Sequence, residues 1–278
     1  MRNFNGKVAA ITGAGSGIGR ALALALANEG AELALSDINE TNLEETRGLS
    51  KTSSRVTARA VDVADRDAVE SWANQVREEH GRVNLIFNNA GVALSSPIVD
   101  MKYEDLEWLM GINFWGVVHG TKSFLPHLIE TGDGHVVNIS SVFGIIAVPG
   151  QAAYNAAKFA VRGYTECLRE ELDVMDVGVS ATSVHPGGIR TNIARSARVS
   201  GATLGAPSAT DLAERFDRTA RTTPVQSAKA ILKGVRSNAH RVLVGWDAKL
   251  IDVLQRALPT TYQRIVANGA KANQRPTV

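Results

Sequence analysis

Two side chains able to trade a proton stand four residues apart in the run YNAAK, where Tyr154 and Lys158 interrupt an alanine-rich stretch with few other polar groups. On a helix, positions i and i+4 share a face, so the phenol and the ammonium can meet one ligand. A free phenol ionises near pH ~10, too high for a good base at neutrality. A neighbouring ammonium favours the phenolate and is expected to lower that value, making Tyr154 a proton donor and acceptor.

A second constellation, TGAGSGIG from Thr12 to Gly19, lies between an apolar run and an alanine- and leucine-rich stretch, so it reads as a strand-to-helix turn. Backbone N–H groups and the helix dipole at such a turn suit a pyrophosphate. The spacing Gly13, Gly17, Gly19 misses the GxGxxG fingerprint. It still meets each physical need: a tight turn at Gly13, close phosphate approach at Gly17 and close helix packing at Gly19. Asp37 ends the next apolar run, near the ~20-residue offset at which an acid accepts hydrogen bonds from adenosine ribose hydroxyls. That carboxylate would repel the 2′-phosphate of NADP. Ser16, Ser36 and Ile38 supply no compensating cation, so NAD is the expected cofactor.

These residues need a scaffold that brings them together. Apolar runs at KVAAIT, AELALSD, RVTARAVDV, VNLIFNNAG, GHVVNIS, VGVSATSVHPG and RVLVGW alternate with helical stretches, the longest over 103–129 and 152–175. Strands apolar on both faces and separated by helices imply right-handed crossovers into a parallel sheet. The expected fold is α/β: a single-domain, doubly wound, seven-stranded parallel sheet of Rossmann type over residues 1–258, with helices on both faces. Residues 259–278 read as a polar, basic tail, either solvated or in contact with an interface or membrane surface. Residues 194–210, small and polar with no periodic apolar face, read as a mobile segment.

With 44% hydrophobic residues, 21% charged and a net charge of +2, the chain is of ordinary globular composition, and no nucleic-acid partner is expected. One cysteine, Cys167, excludes an internal disulfide, suggests a reducing, cytoplasmic setting, and reads as a small buried apolar residue. The six histidines show no metal-binding spacing, so no metal is expected. The glycine-studded start is no signal peptide, and its longest apolar stretch falls far short of the ~20 residues that cross a bilayer.

Taken in order, Thr12-Gly13-x-x-x-Gly17-Ile18-Gly19, NNAG at 88–91, Ser141, Tyr154-x-x-x-Lys158 and HPGGIRT at 185–191 resemble the short-chain dehydrogenase/reductase family over about residues 6–245. The resemblance implies NAD-dependent hydride transfer between a secondary alcohol and a ketone. In it Tyr154 is the general acid/base and Lys158 holds the nicotinamide ribose while depressing the tyrosine pKa. Ser141 bonds the substrate oxygen, and Asn113 holds a proton-relay water. It also implies cofactor contacts from Gly13, Ser16, Gly17, Ile18, Gly19, Asp37, Pro186, Gly187 and Ile189. Asp62 and Val63 are placed by the adenine, Asn89 near the adenosine ribose, and Thr191 at the carboxamide. A substrate lid over 188–223 is implied, as is a homo-oligomer, tetramer or dimer, built on the helices over 103–129 and 152–175.

Val142, Phe143, Ala147, Val148 and Ile193 would line an apolar substrate pocket. Two rival readings stand beside this one. The chain holds Ser141, His185 and acids, as a hydrolase would, although it has no GxSxG elbow. A non-enzymatic NAD sensor or scaffold could use the same fold.

Overall fold

The computed structural model of the chain describes residues 3–200, 214 and 218–274. Its centre is a parallel sheet whose first strand, β1 (Val8–Thr12), is buried at all five positions. Glu32–Asp37 forms β2, Val56–Ala60 β3, Leu85–Asn88 β4, Gly134–Ile139 β6, Val179–Pro186 β7 and Arg241–Val244 β9. Their order across the sheet is β3-β2-β1-β4-β6-β7-β9, with every pairing parallel. β1 lies between β2 and β4, so successive crossovers run in opposite directions on either side of it. The crevice at the carboxyl ends of β1 and β4 is the switch point where such sheets bind ligands.

Helices α1 (Gly17–Asn28), α2 (Glu40–Leu49), α3 (Arg66–His80), α4 (Tyr103–Met110), α5 (Gly116–Thr131) and α6 (Ala152–Met175) follow the strands. The C-terminal part adds α7 (Pro224–Arg236), α8 (Trp246–Ala257) and α9 (Tyr262–Gln274). Apolar clusters fill the space on both sides of the sheet. One joins Ala9, Ile11, Leu33 and Leu35 to Leu22, Leu26, Ile231 and Leu232; the other joins Val8, Ala10, Ile86 and Val136 to Trp72 and Phe124. Trp72 and Phe124 meet edge-to-face at 5.0 Å between centroids. The seven-stranded α/β layer is thus the architecture expected from the alternating apolar runs.

Several details depart from expectation. The helix anticipated over 103–129 is two α-helices joined by a π-helical turn, Gly111–Trp115. A two-residue parallel pair, β5 (Leu94–Ser95) with β8 (Arg198–Val199), was not anticipated; pairs this short have no periodicity to read. Cys167 is exposed, its thiol donating to Glu171 Oε1 at 3.4 Å, because its position on α6 faces away from the sheet. The stretch read as a solvated tail is largely the helix α9, with Tyr262 buried against Ile145 and Ile146. Of the segment 194–210 read as mobile, residues 201–210 lie outside the described residues, as does much of 188–223. Among the described residues no helix is long and apolar enough to cross a membrane.

Candidate active site

The turn after β1 is shaped by what its glycines leave out. Gly13 and Gly17 adopt φ of +63° and +52°, where a side chain would be strained. A Cβ on Gly19 would overlap the Gly13 carbonyl oxygen, so the start of α1 can lie flat on the turn only without one. Thr12 and Asn89 lock the turn to β4. The Thr12 hydroxyl accepts from the Asn89 and Ala90 backbone N–H groups at 2.9 and 3.0 Å, and Asn89 Nδ2 donates to the Thr12 and Gly13 carbonyls at 2.9 and 3.1 Å. Asn89, expected near a ribose, therefore spends its amide on the glycine turn.

Asp37 closes one end. Its carboxylate accepts from the Gly15 N–H at 2.8 Å and from the Asn39 N–H at 2.9 Å. The nearby cation, Arg20, is tied down elsewhere: it donates to the Gly15 carbonyl at 2.6 Å, to Glu45 at 2.7 Å and to the Thr46 hydroxyl at 2.9 Å. Asp62 accepts from the Ala64 N–H at 2.9 Å, and the cap of α3 is instead Asp65, so Asp62 is left facing the cavity.

At the other end, α6 carries Tyr154 and Lys158 on the face turned to the sheet. Lys158 is buried and its ammonium donates to the Ile139 carbonyl at 2.9 Å, at the end of β6. Its Nζ stands 5.6 Å from the Tyr154 ring centroid. Ser141, two residues on from Ile139, caps a short 3₁₀ turn by accepting from the Phe143 N–H at 3.1 Å, and it hydrogen-bonds the Tyr154 hydroxyl.

The electrostatics correct the expectation that Lys158 alone would make Tyr154 acidic. Burial pushes the phenol up to about 12, and the bond to Ser141 only partly offsets this. Burial also draws the Lys158 ammonium down to about 8. Desolvation, which disfavours either charged form, outweighs the attraction between them.

Asn113 carries a structural role besides the one expected of it. Its buried amide grips one residue, accepting from the Val92 N–H at 2.8 Å and donating to the Val92 carbonyl at 2.9 Å. Its side chain therefore pins the loop after β4 to the π-helical turn, using one of its two N–H donors and one of its two acceptor sites. π-helical turns of this kind often sit at functional sites because they re-aim one residue of a helix.

A cavity of about 930 Å³ runs between the two ends. Gly13, Ser16, Gly17, Ile18, Asp37, Asp62, Val63, Asn89, Ser141, Tyr154, Lys158, Pro186, Gly187, Ile189 and Thr191 all line it. Gly19 and Asn113 stand behind its wall. Val142, Phe143, Val148 and Ile193 line the apolar part, whereas Ala147 lies behind, its N–H donating to the Tyr262 hydroxyl at 3.2 Å. The Thr191 methyl lies 3.1 Å from where a Gly17 Cβ would stand, so the residues after β7 fold back over the glycine turn.

Three residues position the site in ways their places in the sequence do not suggest. His185 is buried; its Nδ1–H donates to the Ser141 carbonyl at 2.9 Å and its Nε2 accepts from Ser183 at 3.0 Å. Burial holds its pKa down at about 4, so it stays neutral. It grips the Ser141 backbone and not the hydroxyl, so Ser141 and His185 do not form the nucleophile–base pair of a hydrolase. Asn155 donates to the Phe143 and Ile146 carbonyls, each at 2.7 Å, and accepts from the Val148 N–H at 3.1 Å, fixing the loop 142–148. Asp247 accepts from the Gly188 N–H at 2.6 Å and lines the cavity. Polar side chains that grip backbone leave no spacing pattern; only the polar Asn155 within YNAAK itself hinted at such a role.

Comparison with known proteins gives a consistent picture. The family model described as short chain dehydrogenase matches residues 7–200. A Mycobacterium tuberculosis protein, SadH, named as an oxidoreductase, is 51% identical over 271 residues, covering 97% of each chain. Dehydrogenase/reductase SDR family member 7B of Danio rerio is 34% identical over 281 residues, covering 97% of this chain and 87% of that one. Among solved structures, a short chain dehydrogenase/reductase from Burkholderia phymatum in complex with NAD aligns over 100% of this chain and 99% of that one, with a TM-score of 0.84 and 28% identity.

Proposed function

Since the chain belongs to the short-chain dehydrogenase family and is an oxidoreductase of that family, we propose that it interconverts a secondary alcohol and a ketone with NAD, on an apolar substrate. The observation that carries this reading is one cavity with an acid and a glycine turn at one end and Ser141, Tyr154 and Lys158 at the other. The glycine turn fits a pyrophosphate because side-chain atoms are excluded where phosphate oxygens would approach. Asp37 beside Gly15, with Arg20 already paired, favours ribose hydroxyls over a 2′-phosphate. The NAD complex of the Burkholderia relative supports the same choice.

When bound, the dinucleotide supplies the hydride acceptor or donor and, oxidised, a positive charge. The chain's own residues then handle the proton. In reduction the Tyr154 hydroxyl donates to the oxygen that was the carbonyl; in oxidation the phenolate takes the proton of the alcohol. The Ser141 hydroxyl orients that oxygen, and His185 and Asn155 keep Ser141 and the loop after it in place. Lys158 uses one hydrogen on the Ile139 carbonyl and has two for ribose hydroxyls.

Val92, Leu94, Phe143, Val148, Ile251 and Val266 make the substrate end apolar. Exposed Tyr103, Trp115 and Phe159 give α4, the π-helical turn and α6 an apolar face on which subunits of a homo-oligomer can meet.

The test is Tyr154→Phe. NAD affinity by calorimetry should stay unchanged while NAD-linked turnover of a secondary-alcohol panel falls by about 10²–10⁴-fold. Undiminished turnover would remove Tyr154 from its role. A wild-type chain that binds NAD and oxidises no alcohol in the panel would favour a sensor.

A further inference from the structure

Helices α8 and α9 carry opposite chemistry on their two sides. Their inner faces share one apolar cluster with Ile145 and Ile146, through Ile251, Leu254, Tyr262 and Val266. On the outer side of α8, Trp246, Leu250 and Val253 recur at i, i+4 and i+7 and are 60%, 57% and 62% exposed. Leu258 and Ile265, 37% and 50% exposed, continue the apolar surface onto α9. Large apolar side chains in a row are unusual on a surface that meets only water.

The exposed charges on these two helices have one sign. Lys249, Arg256, Arg264 and Lys271 are all exposed. Both carboxylates of α8 are engaged towards the protein: Asp247 accepts from the Gly188 N–H at 2.6 Å, and buried Asp252 accepts from Arg241 at 3.2 Å and Arg256 at 2.8 Å. Lys249, Arg264 and Lys271 make no ion pair among the described residues. Tryptophan and aliphatic side chains bordered by unpaired cations form the pattern that lies in the headgroup plane of an anionic bilayer.

We propose that the outer face of α8 and α9 docks on a membrane surface rich in anionic phospholipid. A second copy is a poorer occupant. Paired about a two-fold axis, this face would meet a second patch whose exposed charges are also all basic, with no free carboxylate on either helix to answer them. Anionic headgroups complement them, and the apolar stripe enters the acyl boundary. The reading is independent of the substrate, because the docking residues stand outside the cavity wall.

The experiment is co-sedimentation of the full chain with vesicles of phosphatidylcholine alone and of an equal mixture of phosphatidylcholine and phosphatidylglycerol. The chain should pellet with the mixed vesicles only, and added salt should release it. Lys249→Ala with Arg264→Ala should lower the partition coefficient roughly thirty-fold, at the strength expected for two cations at an anionic surface. Trp246→Ser with Leu250→Ser should abolish pelleting. These positions are exposed, so an unchanged thermal midpoint shows the variants folded. Equal pelleting with both vesicles, none with either, or wild-type pelleting by the variants would overturn the proposal. So would a fall in solution mass, by light scattering, in the Trp246 and Leu250 double variant, which would assign the face to a second copy.

Discussion

Tyr154 and Lys158 feel the same loss of water in opposite directions, the phenol raised to about 12 and the ammonium lowered to about 8. Before a dinucleotide binds, the phenol is therefore protonated throughout the ordinary pH range, the form that reduction needs, and the group that changes charge within it is the ammonium. If reduction needs Lys158 charged, kcat/KM for a ketone should be level through neutrality and decline above about pH 8 as that charge is lost. Lys158→Met should lower the plateau and erase the decline; a pH profile unmoved by the substitution would place the ionisation on another group. The tyrosine–lysine spacing, the glycine turn and Asp37 were legible in the sequence because residue type and short separation define them. The pKa directions were not, because they come from protein packed around the pair by β6, α6 and the loop after Ser141. Nor were the roles of Asn113 and His185, whose partners, Val92 and Ser141, lie 21 and 44 residues away along the chain.

At the scale of elements, alternation of apolar runs with helical stretches sufficed to read the sheet and its flanking helices. It failed where an element is too short or too polar for periodicity to show, as for β5, β8 and α9. α9 has few apolar residues, yet Tyr262 places a buried ring on Ile145 and Ile146 and a hydroxyl on the Ala147 N–H. One side chain therefore holds a helix and the loop that follows Ser141. Tyr262→Ala should destabilise the chain by about 3–5 kcal/mol, the range for emptying a buried aromatic site. Tyr262→Phe, which removes only the hydrogen bond, should cost about 0.5–1.5 kcal/mol. Denaturant unfolding of both variants checks the pair. Two equal losses of under about 1 kcal/mol would mean that α9 does not hold its place in solution.

The whole molecule carries an acid sensitivity that belongs to no single site. His135 and His185 are buried in neighbouring strands of the sheet, and burial lowers them to about 3 and about 4. Unfolded, each would take up a proton below pH ~6.5. The folded chain binds fewer protons there, so the stability these groups contribute is present above pH ~6.5 and is lost as pH falls. With two protons at stake the loss is about 2.7 kcal/mol per pH unit between pH ~6 and ~4. His135 hydrogen-bonds the Thr182 hydroxyl at 2.7 Å and stands away from the cavity. His135→Gln should therefore halve the histidine part of the slope, as read from guanidinium midpoints at stepped pH. A variant as acid-sensitive as the wild type would show that His135 titrates normally. The strand order that sets these histidines on neighbouring strands was not read from the runs themselves, which fix how many strands form but not which become neighbours.

The π-helical turn at Gly111–Trp115 makes the length of its segment matter as much as its composition. Deleting one residue there would let a regular α-helix close over the gap, and one half would swing about 100° against the other. Either Asn113 would leave Val92, or Phe124 would leave Trp72. Among homologous chains, insertions and deletions should thus spare these five positions even where the amino acids drift.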